Sequence, residues 1–489
     1  MKEITTNSEC IIGQAPYLFD RTRPLFRTTE TRALEAAFAP LQGSTSLMQR
    51  AGLAVASQAL AITPHARTIW IACGPGNNGG DGFEAAAHLT QWGKTVVVTR
   101  LAPEKEPPCD AANALKHAQE SGVVFTDQPP PHSDLCIDAL FGIGTLNPWG
   151  ERCAQWITAM NVSDSPTLAV DLPSGLDADA GCCVPLHVRA QHTLTLLTLK
   201  PGLFTADGRE ASGSIWFNDL GVQQPTNACA CLSAFQTATP RSHNTHKGSY
   251  GDVAILGGAR SMEGAAILAA RGALHAGAGR VYVALLHADT LTHDPVQPEL
   301  MFRDLARLNL SNLTVVAGCG GGADIEKCLP DVLRHASKLV LDADGLNALA
   351  SQPTLQALLR KRPPSSTVLT PHPLEAARLL NVSSSLIQSN RLDAAQSLAE
   401  QFSCVVTLKG SGTVIAAPGM VPRINPTGNG RLASAGTGDV LAGMIGAHLT
   451  QGQSAFEASC LSVFQHGAIA DSWPVMGSFT AQSLINRAS

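Results

Sequence analysis

Residues 68–82 read Thr68-Ile69-Trp70-Ile71-Ala72-Cys73-Gly74-Pro75-Gly76-Asn77-Asn78-Gly79-Gly80-Asp81-Gly82. An apolar run of strand length gives way to five glycines, two asparagines and an aspartate, and a helix-like segment, Phe83 to Trp92, follows. Strand, glycine turn and helix is the order that brings backbone N–H groups against an anion at a helix N-terminus. Glycine permits positive φ and close approach to a ligand, so residues 74–82 are expected to form a loop that cradles phosphate. A bare G-x-G-x-x-G would be weak support. Here three polar side chains, Asn77, Asn78 and Asp81, are added where a ligand would sit. Asn-Gly and Asp-Gly also form plain turns; the compact cluster between a strand and a helix favours a site.

Outward from this stretch, strands are expected near Arg67–Cys73, Thr95–Leu101, Asp134–Ala139, Thr167–Asp171 and Gln191–Leu196, with helices near Asp110–Ser121 and Glu151–Met160. That alternation implies a doubly wound parallel sheet. Residues 1–25 read as an irregular arm, and the polar stretch Gln223 to Asn244 reads as a linker. Beyond it, Asp252–Leu256, Val281–Leu285, Leu313–Ala317, Lys338–Leu341, Thr367–Thr370 and Cys404–Leu408 alternate with helical patterns, a second α/β core. We therefore expect domains at 1–225 and 243–489, joined by 226–242.

The 489 residues exceed one ordinary core. A net charge of -5 and the absence of a dense Lys/Arg run argue against nucleic acid as a partner. No stretch approaches 18 apolar residues, so no membrane span is expected. The 13 cysteines form no C-x-x-C pair, and Met1-Lys2-Glu3-Ile4-Thr5 lacks a charged-then-apolar pattern. A reducing, cytoplasmic location is the expectation, and a homo-oligomer is the expected assembly.

In the first half, three further segments fall at expected strand ends, where open α/β sheets bind ligands. They are Asp138-Ala139-Leu140-Phe141-Gly142-Ile143-Gly144-Thr145, Val170-Asp171-Leu172-Pro173-Ser174-Gly175-Leu176-Asp177 and Lys200-Pro201-Gly202-Leu203. Each alone would be a strand-ending turn; four converging on one sheet edge suggest a site. Asn78, Asp138 and Ser174 offer hard oxygen ligands to a cation. On residue chemistry alone, potassium, magnesium and no metal all stay open.

In the second half, Ser434-Ala435-Gly436-Thr437-Gly438-Asp439 precedes a helix. Its amides suit a developing phosphate charge, and Asp439 is placed to take a proton from an attacking hydroxyl. A capped helix start would explain the same residues; their companions favour chemistry. Lys409-Gly410-Ser411-Gly412-Thr413 follows a strand and could meet a nucleotide phosphate or form a hairpin turn. Asp342-Ala343-Asp344, Thr370-Pro371-His372-Pro373-Leu374-Glu375 and Gly318-Cys319-Gly320-Gly321-Gly322 complete the set.

The four segments of the first half, with Ser46-Leu47-Met48-Gln49-Arg50-Ala51-Gly52, resemble the NAD(P)H-hydrate epimerase family over about residues 29–222. The second set, with His246-Lys247-Gly248 and Met262-Glu263-Gly264-Ala265-Ala266, resembles the NAD(P)H-hydrate dehydratase family over about 243–485. The resemblance implies an N-terminal Rossmann-like domain and a C-terminal ribokinase-like α/β domain. It implies that Asn77, Asn78, Gly79, Gly80 and Asp81 hold substrate phosphates and ribose. Gly142, Ile143, Gly144, Thr145, Leu146, Asn147 and Pro148 would line the substrate. Asp171 would shuttle the proton, with Lys200 the weaker candidate. Potassium would sit at Asn78, Asp138 and Ser174. In the second domain Ala265, Gly322, His372 and Asp439 would touch the hydrate, and Lys409 to Thr413 with Gly438 would hold the adenine nucleotide. ADP is the implied donor, with magnesium expected beside it. Ala435, Cys319 and Gly321 depart from the family pattern, where glycine, proline and a larger residue are common.

These implications give a bifunctional repair enzyme that epimerises the R and S hydrates of NADH and NADPH and dehydrates the S form. Two other readings compete. One is a ribokinase-like kinase of a small alcohol, such as a vitamin precursor, fused to a nucleotide-binding domain. The other is a first domain that senses nucleotides without turnover, against which the intact Asp171 and Asp138 argue.

Overall fold

The structure is a computed structural model describing residues 9–12, 21–38, 45–102, 107–144, 150–234, 243–287, 291–474 and 476–487. It forms two compact units, one chiefly Pro24–Cys229 and the other Ala230–Ser489.

The first nine strands are β1 (Glu9–Ile12), β2 (Arg23–Leu25), β3 (Thr68–Cys73), β4 (Thr95–Arg100), β5 (Val124–Thr126), β6 (Leu135–Ala139), β7 (Thr167–Val170), β8 (His192–Leu196) and β9 (Ser214–Asn218). The first sheet runs β1-β9-β8-β7-β6-β3-β4-β5. All of its pairings are parallel except β1 with β9. The doubly wound sheet is as expected. The N-terminal arm is not wholly irregular, because β1 adds to the edge of the sheet.

From β3 the chain winds one way through β4 and β5, then crosses to β6 and winds the other way. The switch point therefore lies between β3 and β6, where a crevice opens at the strand ends. β3 is buried on both faces, as a central parallel strand must be. Ile69, Ile71 and Cys73 enter one apolar cluster with Val55, Leu89 and Ile137, while Trp70 and Ala72 enter another with Trp156 and Ile157.

The glycine stretch corrects the expectation made of it. The helix starts at Asn77, not near Phe83, and runs to Gln91. None of Gly74, Gly76, Gly79, Gly80 or Gly82 has positive φ. These glycines serve proximity instead. A Cβ on Gly74 would lie 1.7 Å from the Leu140 carbonyl oxygen, one on Gly79 2.0 Å from the Gly74 carbonyl oxygen, and one on Gly82 2.6 Å from Ala139 Cβ. Asn77, Asn78 and Asp81 therefore ride on the first turns of a helix seated directly on the strand ends.

The remaining strands are β10 (Ala230–Leu232), β11 (Asp252–Gly257), β12 (Arg280–Leu285), β13 (Met301–Phe302), β14 (Thr314–Ala317), β15 (Lys338–Leu341), β16 (Thr367–Leu369), β17 (Val405–Leu408), β18 (Val414–Ala416) and β19 (Arg423–Ile424). Within the second unit the order runs β13-β12-β11-β14-β15-β16-β17-β18-β19-β10. The pairings are parallel up to β17, and β18 is antiparallel to both of its neighbours. The switch point lies between β11 and β14. Helix Thr437–Thr450 packs on helix Glu263–His275 through small residues: a Cβ on Gly443 would lie 1.9 Å from the Ala269 carbonyl oxygen, and one on Gly272 2.6 Å from that of Val440. Among the described residues no helix is long and apolar enough to cross a membrane.

Gly79→Ala must push helix Asn77–Gln91 off the strand ends, so it is expected to destabilise the first unit by about 1–3 kcal/mol. Gly76→Ala, whose Cβ would meet nothing within 4 Å, is expected to cost at most about 1 kcal/mol, the scale of a weakened N-cap. Urea unfolding of the two variants measures the difference.

Candidate active sites

In the first unit the site forms at the ends of β3, β6, β7 and β8. β7 stops at Val170 because Asp171 turns left-handed, with φ 67, a conformation that costs a non-glycine residue free energy. The turn aims the carboxylate inward. Asp171 Oδ1 accepts from the Leu196 amide at 3.1 Å and the Thr195 hydroxyl at 3.4 Å, and it pairs with the Lys200 ammonium. Lys200 is 1% exposed and also donates to the Leu196 carbonyl at 2.7 Å and Thr195 Oγ1 at 3.2 Å. A buried lysine so placed has carboxylate, carbonyl and hydroxyl as its three acceptors.

The other carboxylate oxygen faces the crevice. A Cβ on Gly142 would sit 3.3 Å from Asp171 Oδ2 and 3.2 Å from Asn78 Oδ1. Asn78, Gly142 and Asp171, named from separate segments, thus converge on one point. Burial, then Asp171 and Glu35, push the Asp81 carboxyl well above its ordinary range, while Lys200 pulls it down. Glu35 is raised by burial and by Asp171. This residue of helix Thr28–Phe38 was missed by sequence reasoning; only its place in an amphipathic helix preceding the motifs could have signalled it. Arg32 of the same helix donates to the Ile143 carbonyl at 3.1 Å.

Asp138 is fully buried, and its oxygens accept from Ser174 N at 2.7 Å, Ser174 Oγ at 2.7 Å and Leu140 N at 3.2 Å. Burial raises its pKa to about 6, against those three hydrogen bonds. Ser174 Oγ also accepts from Phe141 N at 3.0 Å. Asn77 is exposed at the helix start, Gly79 and Gly80 are buried beneath it, and Gly144 borders open space. Thr145, Leu146, Asn147 and Pro148 lie outside the described residues.

In the second unit the loops after β14, β15, β16 and β17 meet the N-terminus of helix Thr437–Thr450. Gly436 caps that helix at φ 87; Thr437 N donates to the Ser434 carbonyl at 3.4 Å, and the amides of Gly438 and Asp439 precede the first helical bond, Val440 N to Gly436 O at 3.1 Å. Asp439 stands in this first turn. Burial and Asp342 raise its pKa to about 6, while the Cys319 thiol that bonds it lowers it. Asp342, 2% exposed, accepts on Oδ1 from Lys409 Nζ at 2.6 Å and Thr370 Oγ1 at 2.7 Å. Burial works against the Lys409 ammonium, but Asp342 and Glu375 outweigh it and hold its pKa above the ordinary lysine value. Its Nζ would lie 3.5 Å from a Cβ on Gly438.

Lys409 to Thr413 is the hairpin turn between β17 and β18, which pair Leu408 with Val414. Arg391, buried and unforeseen, clamps it by donating to the carbonyls of Leu408 at 3.2 Å and Lys409 at 3.1 Å. A Cβ on Gly410 would lie 2.9 Å from the Arg391 guanidinium, so the glycine makes room for it. Ser411 is exposed and Gly412 buried. His372 caps helix Pro373–Leu380: Nδ1 accepts from the amides of Leu374 and Glu375 at 3.1 and 3.3 Å. Burial, then Lys409, lower its pKa, which suits a neutral ring. Gly322 donates its amide to Asp344 at 2.8 Å, and Ala265 lies against Gly320, whose Cβ would be 2.9 Å from that of Ala265. His466, also missed, is buried, held to a pKa of about 4 by burial, and meets the Thr437 carbonyl at 2.9 Å at the first turn of helix Thr437–Thr450.

Replacing Lys200 by Met leaves the buried Asp171 carboxylate without its cation and is expected to cost about 3–5 kcal/mol. Lys200→Met combined with Asp171→Asn is expected to recover part of that loss, again by urea unfolding.

Comparison with known proteins agrees with this division. Residues 253–487 match the family described as NAD(P)H-hydrate dehydratase, and residues 44–202 match the YjeF-related protein N-terminus. The bifunctional NAD(P)H-hydrate repair enzyme Nnr of Escherichia coli K12 is 37% identical over 87% of this chain and 84% of its own length. Its namesake in Coxiella burnetii is 33% identical over 91% and 93%. A solved ADP/ATP-dependent NAD(P)H-hydrate dehydratase from Bacillus subtilis, co-crystallised with ATP/Mg2+, is 31% identical with a TM-score of 0.44, covering 52% of this chain and 93% of that chain. The full-length likeness sets aside the small-alcohol kinase, and the chain belongs to the family of bifunctional NAD(P)H-hydrate repair enzymes.

Proposed function

We propose that residues 1–225 epimerise the R and S hydrates of NADH and NADPH, and that residues 243–489 dehydrate the S form with ADP, releasing AMP and phosphate. The observation that carries this reading is Asp439: a carboxylate with a pKa near 6, in the first turn of a helix whose free amides face the same crevice as Lys409.

Hydroxide is a poor leaving group from the hydrated ring. In the proposed sequence Asp439 takes the proton of the ring hydroxyl while its oxygen attacks the terminal phosphorus of ADP. The bond from that phosphorus to the AMP oxygen breaks. The amides of Gly438 and Asp439 and the ammonium of Lys409 face the charge on the transferring group. Phosphate then leaves, pushed by the ring nitrogen, and loss of a proton from the adjacent ring carbon restores the double bond of the dihydropyridine. Ala265, Gly322 and His372 border the hydrate, while Lys409 to Thr413 and Gly438 border the nucleotide. Magnesium is expected on the nucleotide phosphates.

In the first unit Asp171 moves the proton for ring opening and reclosure, with Lys200 fixing its orientation. Asn77 to Asp81 face phosphates and ribose, and Gly142 to Pro148 border the ring. The residues present fit a potassium ion. Asp138 is a buried carboxylate whose hydrogen-bond partners, Ser174 and Leu140, carry no charge, and Asn78 turns its Oδ1, a hard oxygen, toward the crevice at Gly142. Asn78, Asp138 and Ser174 would hold that ion, which would supply a fixed positive charge for the substrate phosphate.

The test uses mixed NADPH hydrates with potassium and ADP, following recovery of reduced-nicotinamide absorbance. Asp439→Ala is expected to lower dehydration by about 10²–10⁴-fold, the range for losing a general base. Asp171→Asn is expected to consume the S hydrate and leave R to epimerise only spontaneously; full recovery at the wild-type rate would overturn the role of Asp171. Because the base acts as carboxylate, kcat/KM for dehydration is expected to rise with pH and level off above an inflection at about 6. A flat profile across that region would contradict the assignment.

A further inference from the structure

The mechanism above gives the thiol of Cys319 nothing to do. It is fully buried at the end of β14. Donor atoms of Cys319, Asp342 and Asp439 all lie within 4.8 Å of one another. Asp342 is already oriented. Its Oδ1 is occupied by Lys409 Nζ at 2.6 Å and Thr370 Oγ1 at 2.7 Å, and its Oδ2 faces Cys319 Sγ at 4.0 Å. A carboxylate locked through one oxygen with the other turned to a thiol is the outer-shell arrangement that aims a metal ligand.

We propose that Cys319, Asp342 and Asp439 form a binding site for one thiophilic divalent cation, zinc in the cell. A tetrahedral zinc with a sulfur at about 2.3 Å and carboxylate oxygens at about 2.0–2.2 Å needs these donors to draw together by at most about 1.4 Å. Thiol, carboxylate and carboxylate leave the fourth position to water or substrate, as in open zinc sites. On binding, the Cys319 proton leaves, the trio carries three negative charges against two, and the Lys409 ammonium offsets the remainder. Magnesium, a hard ion, has no preference for the sulfur. Occupancy would take Asp439 out of use as a base; this last step rests on the role proposed for Asp439 above.

The test titrates the nucleotide-free full chain with Zn2+ by calorimetry and with Cd2+ by thiolate-to-cadmium charge-transfer absorption. Wild type is compared with Cys319→Ser, Asp342→Asn and Asp439→Asn. The other thiols contribute the same background to every chain. Wild type is expected to show one more site than Cys319→Ser, and the two carboxylate variants to bind that ion at least about tenfold more weakly. Superimposable titrations of folded wild type and Cys319→Ser would overturn the site. Should Cys319→Ser fail to fold, Asp439→Asn decides by the same criterion. Zinc is further expected to inhibit dehydration reversibly, with chelator restoring it. Metal bound through the trio with dehydration undiminished would leave the site standing and overturn Asp439 as the base.

Discussion

Both units depend on backbone approaching backbone where a side chain would intervene. In the first, the helix that carries Asn77, Asn78 and Asp81 begins directly on the ends of β3 and β6, because Gly74, Gly79 and Gly82 leave no Cβ in the gap. In the second, Gly443 and Gly272 let helix Thr437–Thr450 lie against helix Glu263–His275 at carbonyl contact. Functional atoms on the first turn of a helix are only as well placed as the helix start. Burying small side chains gains little apolar area, so proximity and fixed geometry are what these contacts deliver.

The two sites use charge in related ways. Each places a carboxylate beside a lysine at a sheet edge: Asp171 with Lys200 in one, Asp342 with Lys409 in the other. In the first site the ammonium is almost fully buried and bonded to the proposed acid–base group itself. In the second it is bonded to Asp342, leaving Asp439 free to titrate near neutrality under burial and the field of that neighbour. The same pair of residue types thus orients one carboxylate and sets the field around another.

The alternation of strands and helices was legible because strands reveal themselves by short apolar runs ending in Gly, Asp or Lys, and nearly every named site residue falls at such an end. What was not legible depends on three-dimensional proximity. The start of the helix at Asn77 was hidden because glycines read as turn formers by propensity, while here they are selected by the absence of Cβ. The end of β7 before Asp171 was hidden because an aspartate carries no mark of left-handed backbone. Glu35 and Arg391 sit on helices distant in sequence and meet their sites only through packing. Lys409 to Thr413 was read as either a phosphate contact or a hairpin turn; its geometry is the hairpin, and the phosphate contact remains part of the proposal.

The backbone at Asp171 narrows the alphabet available to that position. With φ 67, aspartate, asparagine and glycine are the residues that enter such a conformation with least strain. Asparagine and glycine are each one nucleotide change from an aspartate codon. The substitutions that spare the turn are therefore ones that delete the carboxylate and leave the buried Lys200 ammonium without its anion. A lineage that loses its first activity by such a step must relieve that charge as well, and a neutral residue at Lys200 is the matching second change. Bulkier replacements would be removed by instability before their chemistry mattered.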